Sequence, residues 1–490
     1  MTGSGRLPAA PEIHETHTGL VALVGDRAYK AKKAVRTDFL DFRDVAAREA
    51  ACRREIELNS RLSPQAYLGL AHLTDPTGGP AEPVLVMRRY HDDDRLATRA
   101  RRGEPLRAEI EQIAAVLARF HRDADRSPAI DADGRPDAVS KRWHDNLTEL
   151  HRLRDAVLPA ERIDEITRLV DDYIAGRAGL FAERVAQGNI VDGHADLLAD
   201  DIFCLPDGPV LLDCLEFDDA LRHVDVIDDA AFLAMDLEFL DRADLAEQFL
   251  DAYRAASGDT APASLVHFYV AYRAVVRAKT DCIRAGQGRT ASIDDARRHL
   301  NLAVDHLRTG AVRLVLVGGG PGTGKTTLAR GLAERLGAQV ISTDDVRREL
   351  MVQGVIGGPA GEFRSGLYSP EQIDAVYAEV VRRAEPLLAG GHTVILDGTW
   401  QEPRHRAAAR EAAERNRCRL VELACSLPLE EAAARIAGRR GSTSDATPQI
   451  AAALAAEHDD GVWEGAHRID TGRTPADSIA EAQQICCLGI

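Results

Sequence analysis

The spacing of apolar residues changes period several times along this chain, and those changes predict its architecture. Residues 19–24 (GLVALV) and 28–35 (AYKAKKAV) flank Gly25-Asp26, a pair that predicts a β-hairpin. Alternation puts Lys30 and Lys32 on one face of the second strand and Tyr29, Ala31 and Lys33 on the other. Residues 43–62 predict a helix with Val45, Cys52 and Ile56 on one face, and residues 83–87 predict another strand. The result is a small β-plus-helix lobe ending near residue 92, after a loose lead-in over residues 1–17. Helical spacing then dominates from about 105 to 187. Ile110, Ile113, Ala114 and Leu117 share a face ahead of His121, and helices are predicted over 143–157 and 163–182. Pro128, Gly134 and Pro136 mark residues 127–136 as a loop. A second hairpin follows, residues 202–205 and 210–213 around Pro206-Asp207-Gly208-Pro209. Helices over 226–240, 243–256 and 263–285, and a last one through His306, complete this part.

Thr309-Gly310 is the predicted joint. Beyond it short apolar strands (314–318, 339–342, 393–396, 419–425, 467–470) alternate with helical stretches. Such alternation predicts a parallel sheet with helices on both faces. The expected domains are therefore 1–308 and 311–490.

The first strand of the second domain runs into Gly319-Gly320-Pro321-Gly322-Thr323-Gly324-Lys325-Thr326, which matches G-x-x-x-x-G-K-[ST], and a helix is predicted from Thr327. Gly319, Gly320, Gly322 and Gly324 let backbone N–H groups turn inward around a polyphosphate, and the amides of Thr323 to Thr327 add the favourable end of a helix. Lys325 is expected on the β- and γ-phosphates and the Thr326 hydroxyl on Mg²⁺. Ser342-Thr343-Asp344-Asp345-Val346-Arg347 follows the second strand. Asp344 could take the proton from an attacking hydroxyl and Arg347 steady charge on the substrate; helix capping by Ser342 to Asp344 is compatible with both. Asp397 ends an apolar strand and could orient Mg²⁺ or substrate. Arg435, Arg439 and Arg440, in RIAGRRGSTSD, suit a lid closing over phosphates.

Charge and cysteine usage narrow the function class. The chain has 490 residues, is 45% apolar and 28% charged, and carries a net charge of −17. That is an ordinary globular composition, and its acidity argues against a broad nucleic-acid surface. Eight cysteines are scattered without C-x-x-C spacing, so no zinc site is expected. Cys204, Cys214 and Cys425 sit in apolar runs, which predicts buried thiols and a reducing cytoplasm. No leader pattern and no run of 18 apolar residues is present, so no membrane span is expected. Oligomeric state has no signature.

The second domain resembles P-loop small-molecule kinases: chloramphenicol phosphotransferase, zeta-toxin-type kinases and the kinase part of polynucleotide kinase. The likeness spans 312 to about 475 and rests on the phosphate loop, Asp344-x-x-Arg347, Asp397 and the arginine-bearing helix before Ser444-Asp445-Ala446. It implies ATP, Mg²⁺ and Asp344 as general base toward a hydroxyl.

In the first domain, His194-Ala195-Asp196, Asp201 five residues on, and Asp213 after a hairpin echo H-x-D-x-x-x-x-N followed by a metal-binding Asp. Asp196 would be the base, and Asp201 and Asp213 would hold Mg²⁺ against ATP. Lys30 or Lys32 would pair the phosphates, with Glu55 as ion-pair partner. Residues 18–300 resemble aminoglycoside-phosphotransferase-like kinases, whose loop reads H-G-D-x-H-x-x-N; here Ala195, Leu198 and Asp201 replace Gly, the second His and Asn. The expected fold is a two-lobed protein-kinase-like domain followed by an adenylate-kinase-like P-loop domain. The expected activity is ATP-dependent transfer of phosphate to a small-molecule hydroxyl. Alternatives are a main reaction in the first domain, a degenerate binding module with a P-loop ATPase switch, and a polynucleotide kinase.

Overall fold

A computed structural model of the chain describes residues 12–15, 19–36, 41–74, 78–152, 158–358, 366–438 and 463–487. They form two compact units. The first comprises Met1–Val139, Arg184–Ala261 and Tyr269–Ala303; the second comprises Ser140–Glu183, Pro262–Phe268 and Val304–Ile490.

The first unit opens with an antiparallel sheet of β1 (Glu12–Glu15), β2 (Gly19–Val24), β3 (Arg27–Lys32), β4 (Tyr67–Leu73) and β5 (Glu82–Arg88), in the order β1-β2-β3-β5-β4. Two of these strands depart from expectation. β1 lies in the predicted lead-in; all four of its residues are exposed, so no alternation betrays it. β4 carries a register shift between Tyr67 and Gly69, with Gly69 at φ 141°, and the irregularity hides its period. The helix Val45–Asn59 follows β3 and buries Cys52, Glu55 and Leu58. The helical part is built from Arg107–Asp123, Val226–Phe239 and Ala243–Ser257, whose Leu117, Phe232 and Phe249 are fully enclosed. Each such side chain contributes about 1.5–3 kcal/mol by leaving water. The predicted loop at 127–136 instead holds a helix, Pro128–Asp133. Proline suits its first turn, and Ser127 accepts a hydrogen bond from the Ile130 amide as N-cap. Two ribbons sit beside these helices: β6 (Ile190–Asp192) with β9 (His223–Asp225), and the hairpin of β7 (Ile202–Leu205) with β8 (Gly208–Leu211).

The second unit is a parallel sheet of β10 (Arg313–Gly318), β11 (Gln339–Ser342), β12 (Val394–Asp397), β13 (Arg419–Ser426) and β14 (His467–Asp470), ordered β11-β12-β10-β13-β14. Every residue of β10 is buried, as a central strand covered on both faces requires. Val315 and Val317 point into a core with Leu328, Leu332, Leu423 and Ile469. The helix after the glycine loop begins at Lys325, two residues earlier than expected. The helix after β11 begins at Thr343, so Asp344 lies in its first turn. The predicted helix over 163–182 is two helices, Ala160–Gly176 and Ala178–Ala186, separated at Arg177. Within this unit Tyr173 stacks on Phe268 at 4.5 Å, and Trp143 packs on the same ring at 5.2 Å.

Candidate functional site

Strand register gathers the first constellation. Val317 of β10 pairs with Asp397 of β12, and Asp397 pairs with Ser342 of β11. The C-terminal ends of three adjacent strands therefore stand level, with the glycine loop following one and Asp344 another. Ligands bind at this edge of parallel sheets. The loop needs its glycines. Gly319, Gly322 and Gly324 have φ of 135°, 81° and 87°, where side chains are disfavoured. A Cβ on Gly319 would stand 2.6 Å from the Cys425 carbonyl oxygen, and one on Gly322 2.5 Å from that of Ala432.

Lys325 folds back over the loop, its ammonium donating to the Gly320 carbonyl at 2.9 Å, and Thr323 Oγ1 donates to the same oxygen at 2.8 Å. Thr326 Oγ1 donates to Asp397 Oδ2 at 2.7 Å. Asp397 is buried, which raises its pKa, and Lys325 and Thr326 partly offset that rise. Thr327 is exposed on the helix. Asp344 receives an ion pair from Arg347 at 2.8 Å, and its amide is bonded by Ser342 Oγ, so the same residues cap the helix and carry the acid. The Arg347 guanidinium lies 4.7 Å over the Tyr368 ring. Arg435 donates to the Thr471 carbonyl at 2.9 Å, and Thr471 Oγ1 donates to the Thr323 carbonyl at 2.7 Å, so Arg435 is anchored against the phosphate loop. Arg439 and Arg440, with Ser444-Asp445-Ala446, lie outside the described residues.

Two supporting residues were not found from the sequence. Thr471 comes from just past β14. Tyr377, on the helix Pro370–Ala389, accepts from the amides of Thr399 and Trp400 at 3.0 and 3.1 Å and so fixes the turn after Asp397. Neither has a local signal; each works through a contact distant in sequence.

The second constellation lies in the first unit. Lys30 and Lys32 share one face of β3, as alternation predicts, and both reach Glu55. Lys30 Nζ is 2.9 Å from Glu55 Oε1, and Lys32 Nζ is 2.6 Å from Glu55 Oε2. Lys30 also donates to Asp213 Oδ1 at 2.6 Å, and Lys32 to Glu216 Oε1 at 2.6 Å. Burial works against the Lys30 charge, but Asp213, Glu55 and Glu216 outweigh it and hold its pKa well above the ordinary value. Lys30 in turn lowers that of Asp213. Burial and the neighbouring Asp213 and Asp196 raise Asp201, and burial lifts Asp196 to about 6. Ala195 and Asp213 both adopt left-handed backbone, φ 66° and 63°. Ala195 thus takes a conformation that glycine adopts without strain.

Asp229 holds this loop in place. Its carboxylate accepts from the amides of His194 and Ala195 at 2.6 and 2.8 Å and pairs with His121 at 3.0 Å. Arg273 donates to the Ala195 carbonyl at 3.1 Å while its guanidinium pairs with Asp228. His194 donates through Nε2 to the Leu212 carbonyl at 3.0 Å, and its Nδ1 accepts from the Asp196 amide. Burial depresses its pKa, consistent with the neutral ring those partners define. Asp225, Asp228 and Asp229 stand at the start of the helix Val226–Phe239. Asp225 does cap, its side chain accepting from the Ile227 amide; Asp228 and Asp229 do more. Glu216 pairs with Lys32.

Both constellations present only oxygen donors where a hard cation is expected: Thr326 with Asp397, and Asp201 with Asp213. Among the described residues no group of three or more His, Cys, Asp or Glu is arranged to hold a metal ion by itself. One or two carboxylates per site fit Mg²⁺, which keeps waters and binds beside phosphates.

The glycine loop between β10 and the helix Lys325–Leu336, at the C-terminal edge of a parallel sheet, defines a P-loop domain in the second unit. A family model described as an AAA domain matches residues 314–459. The chain belongs to the family of the mycobacterial proteins Rv2004c (Mycobacterium tuberculosis, strain H37Rv) and Mb2027c (Mycobacterium bovis): each is 56% identical over 474 residues, 97% of this chain and 95% of the relative. Among solved structures, a choline/ethanolamine kinase family protein from Mesorhizobium loti is 16% identical, covering 61% of this chain and 92% of its own, with a TM-score of 0.38. A gluconokinase from Sinorhizobium meliloti is 17% identical, covering 36% of this chain and 93% of its own, with a TM-score of 0.28.

Proposed function

We propose that the second unit transfers the γ-phosphate of ATP to a hydroxyl group of a small molecule. The observation that carries this reading is the register that sets the glycine loop, Asp397 and the Asp344 helix level at one sheet edge. Loop amides and Lys325 would hold the phosphates. Thr326 and Asp397 would bind Mg²⁺, which supplies charge neutralisation on the β- and γ-oxygens. Asp344 would accept the hydroxyl proton, with Arg347 orienting its carboxylate and Arg435 facing the phosphates. Arg439 belongs to the same proposal as a lid residue. The eight cysteines, all free, fit a reducing cytoplasm. No helix among the described residues is long and apolar enough to cross a membrane.

The test is a mass-spectrometric screen for ATP-dependent phosphorylated products over sugars, aminoglycosides and nucleosides, run with Lys325→Ala. Full transfer in that variant refutes the reading.

A second reading is favoured by the Lys30–Glu55–Asp213 chain of contacts, which has the form of a nucleotide-phosphate and metal site. In it the first unit is itself a kinase, with Asp196 as base, Lys30 toward the phosphates, and Asp201 and Asp213 as Mg²⁺ ligands. Lys32 then acts through Glu55. Asp196→Ala and Asp344→Ala separate the two readings, because the variant that leaves transfer untouched has not lost the base.

A further inference from the structure

The second unit holds a cavity of about 530 Å³ that plays no part in the phosphate-loop site. It is lined by Arg168, Arg177, Arg417 and Arg419, with Asp172 and Glu414 as its acids. Its place in the fold separates it from the proposed reaction. Arg419 opens β13, and Val312, also in the lining, immediately precedes β10. The cavity is therefore at the N-terminal edge of the sheet, whereas the phosphate loop leaves the C-terminal edge. β10 has six residues, which places the two edges about 20 Å apart.

Arg177 is the unusual member. The residue is 2% exposed, yet the described residues give it no carboxylate partner. Its Nη1 donates to the Asn416 carbonyl at 2.6 Å, its guanidinium lies 5.2 Å over Tyr173, and its Nε is buried with no hydrogen-bond partner. Burial lowers its pKa, with Asp172 too weak to reverse the effect. Capping the helix Pro403–Arg415 through the Asn416 and Arg417 carbonyls engages both terminal nitrogens of this group and leaves the buried Nε without a partner. Around it, Arg168 reaches Asp172 only at 4.0 Å, and the exposed Arg417 side chain makes no ion pair among the described residues.

We propose that this cavity binds a small phosphoryl-bearing anion. Guanidinium groups match phosphate oxygens in paired hydrogen bonds, and four of them against two carboxylates leave a cationic cavity in an otherwise acidic chain. The volume is that of a metabolite pocket, not of a macromolecular groove. The ligand would contact both the helix Ala160–Gly176, through Arg168, and the sheet edge, through Arg419.

The test is calorimetric titration of the full chain with inorganic pyrophosphate, glucose 6-phosphate and AMP at constant ionic strength. A Lys325→Ala background removes the phosphate-loop contribution. One saturable site for at least one probe should persist there. Arg168→Ala with Arg417→Ala, both at exposed positions that preserve the fold, should weaken it at least tenfold. Loss of all binding in Lys325→Ala alone, or affinities within twofold in the arginine variant, overturns the proposal. The readout is binding, so it stands or falls separately from phosphate transfer.

Discussion

The Thr326 hydroxyl donates to the Asp397 carboxylate at 2.7 Å, joining the first turn of the helix after the phosphate loop to the end of the neighbouring strand. Thr326→Ala leaves a buried carboxylate without its donor. Loss of about 1–3 kcal/mol of stability is expected, together with a rise in the Mg²⁺ concentration needed for half-maximal transfer. Thermal unfolding and a metal titration of the activity read the two effects separately.

Asp344→Asn should keep the helix cap but lose the proton acceptor. A fall of about 10²–10⁴ in kcat is expected, with nucleotide affinity within twofold of the parent. A parallel loss of nucleotide binding would assign Asp344 to phosphate-loop geometry instead of proton transfer.

Glu55 faces two ammonium groups, and its side chain is 0% exposed. Glu55→Ala should destabilise the first unit by roughly 1–3 kcal/mol, because two buried ammonium groups each lose one of their two carboxylate partners while Asp213 and Glu216 remain. Lys30→Met should be milder, since Lys32 still satisfies Glu55. Urea unfolding followed by fluorescence ranks the two.

Acid should loosen the loop around His194. Its folded pKa lies below the ordinary histidine value, so the unfolded chain binds that proton first and stability falls as pH drops below about 6.5. Asp229 is also depressed; burial is the largest single influence and opposes this, but the His121 hydrogen bond and the charges of His121, His194 and Arg273 together outweigh it. Its contribution is present above about pH 4 and is lost on further acidification. Amide exchange at residues 194–196 should quicken in that order. Asp229→Asn should remove the lower step and leave the upper one.

Gly322→Ala forces a side chain into φ 81° with a carbonyl oxygen 2.5 Å from its Cβ. A cost of about 1–3 kcal/mol is expected, expressed as weaker nucleotide binding in equilibrium dialysis.

What could be read from the sequence was what local chemistry encodes. The phosphate loop, the order of strands and helices after 310, and the shared face of Lys30 and Lys32 all follow from spacing within a few residues. β1 escaped because it is exposed throughout, and β4 because Gly69 breaks its period. The support for the candidate sites was hidden for another reason. His121, Asp229 and Arg273 act on the His194 loop from three separate helices, and Tyr377 acts on Thr399 from 22 residues away. No short window contains both ends of such a contact. Asp228 and Asp229 look like helix-start residues because they are, and their second task becomes visible only in three dimensions.

The grouping of residues 140–183 with the P-loop sheet bears on dissecting this protein into pieces. A fragment starting at residue 311 would contain every strand of that sheet. It would lack Trp143, Tyr173, Phe181 and Phe268, whose rings pack together, and the Arg177 contact to Asn416. The Leu180 side chain and Ser264, which meet Gly391, would also be gone. Such a piece would show water an apolar surface that the intact polypeptide covers, and self-association during purification is its expected fate. Limited proteolysis is a sounder guide to where this chain can be cut than the order of its motifs.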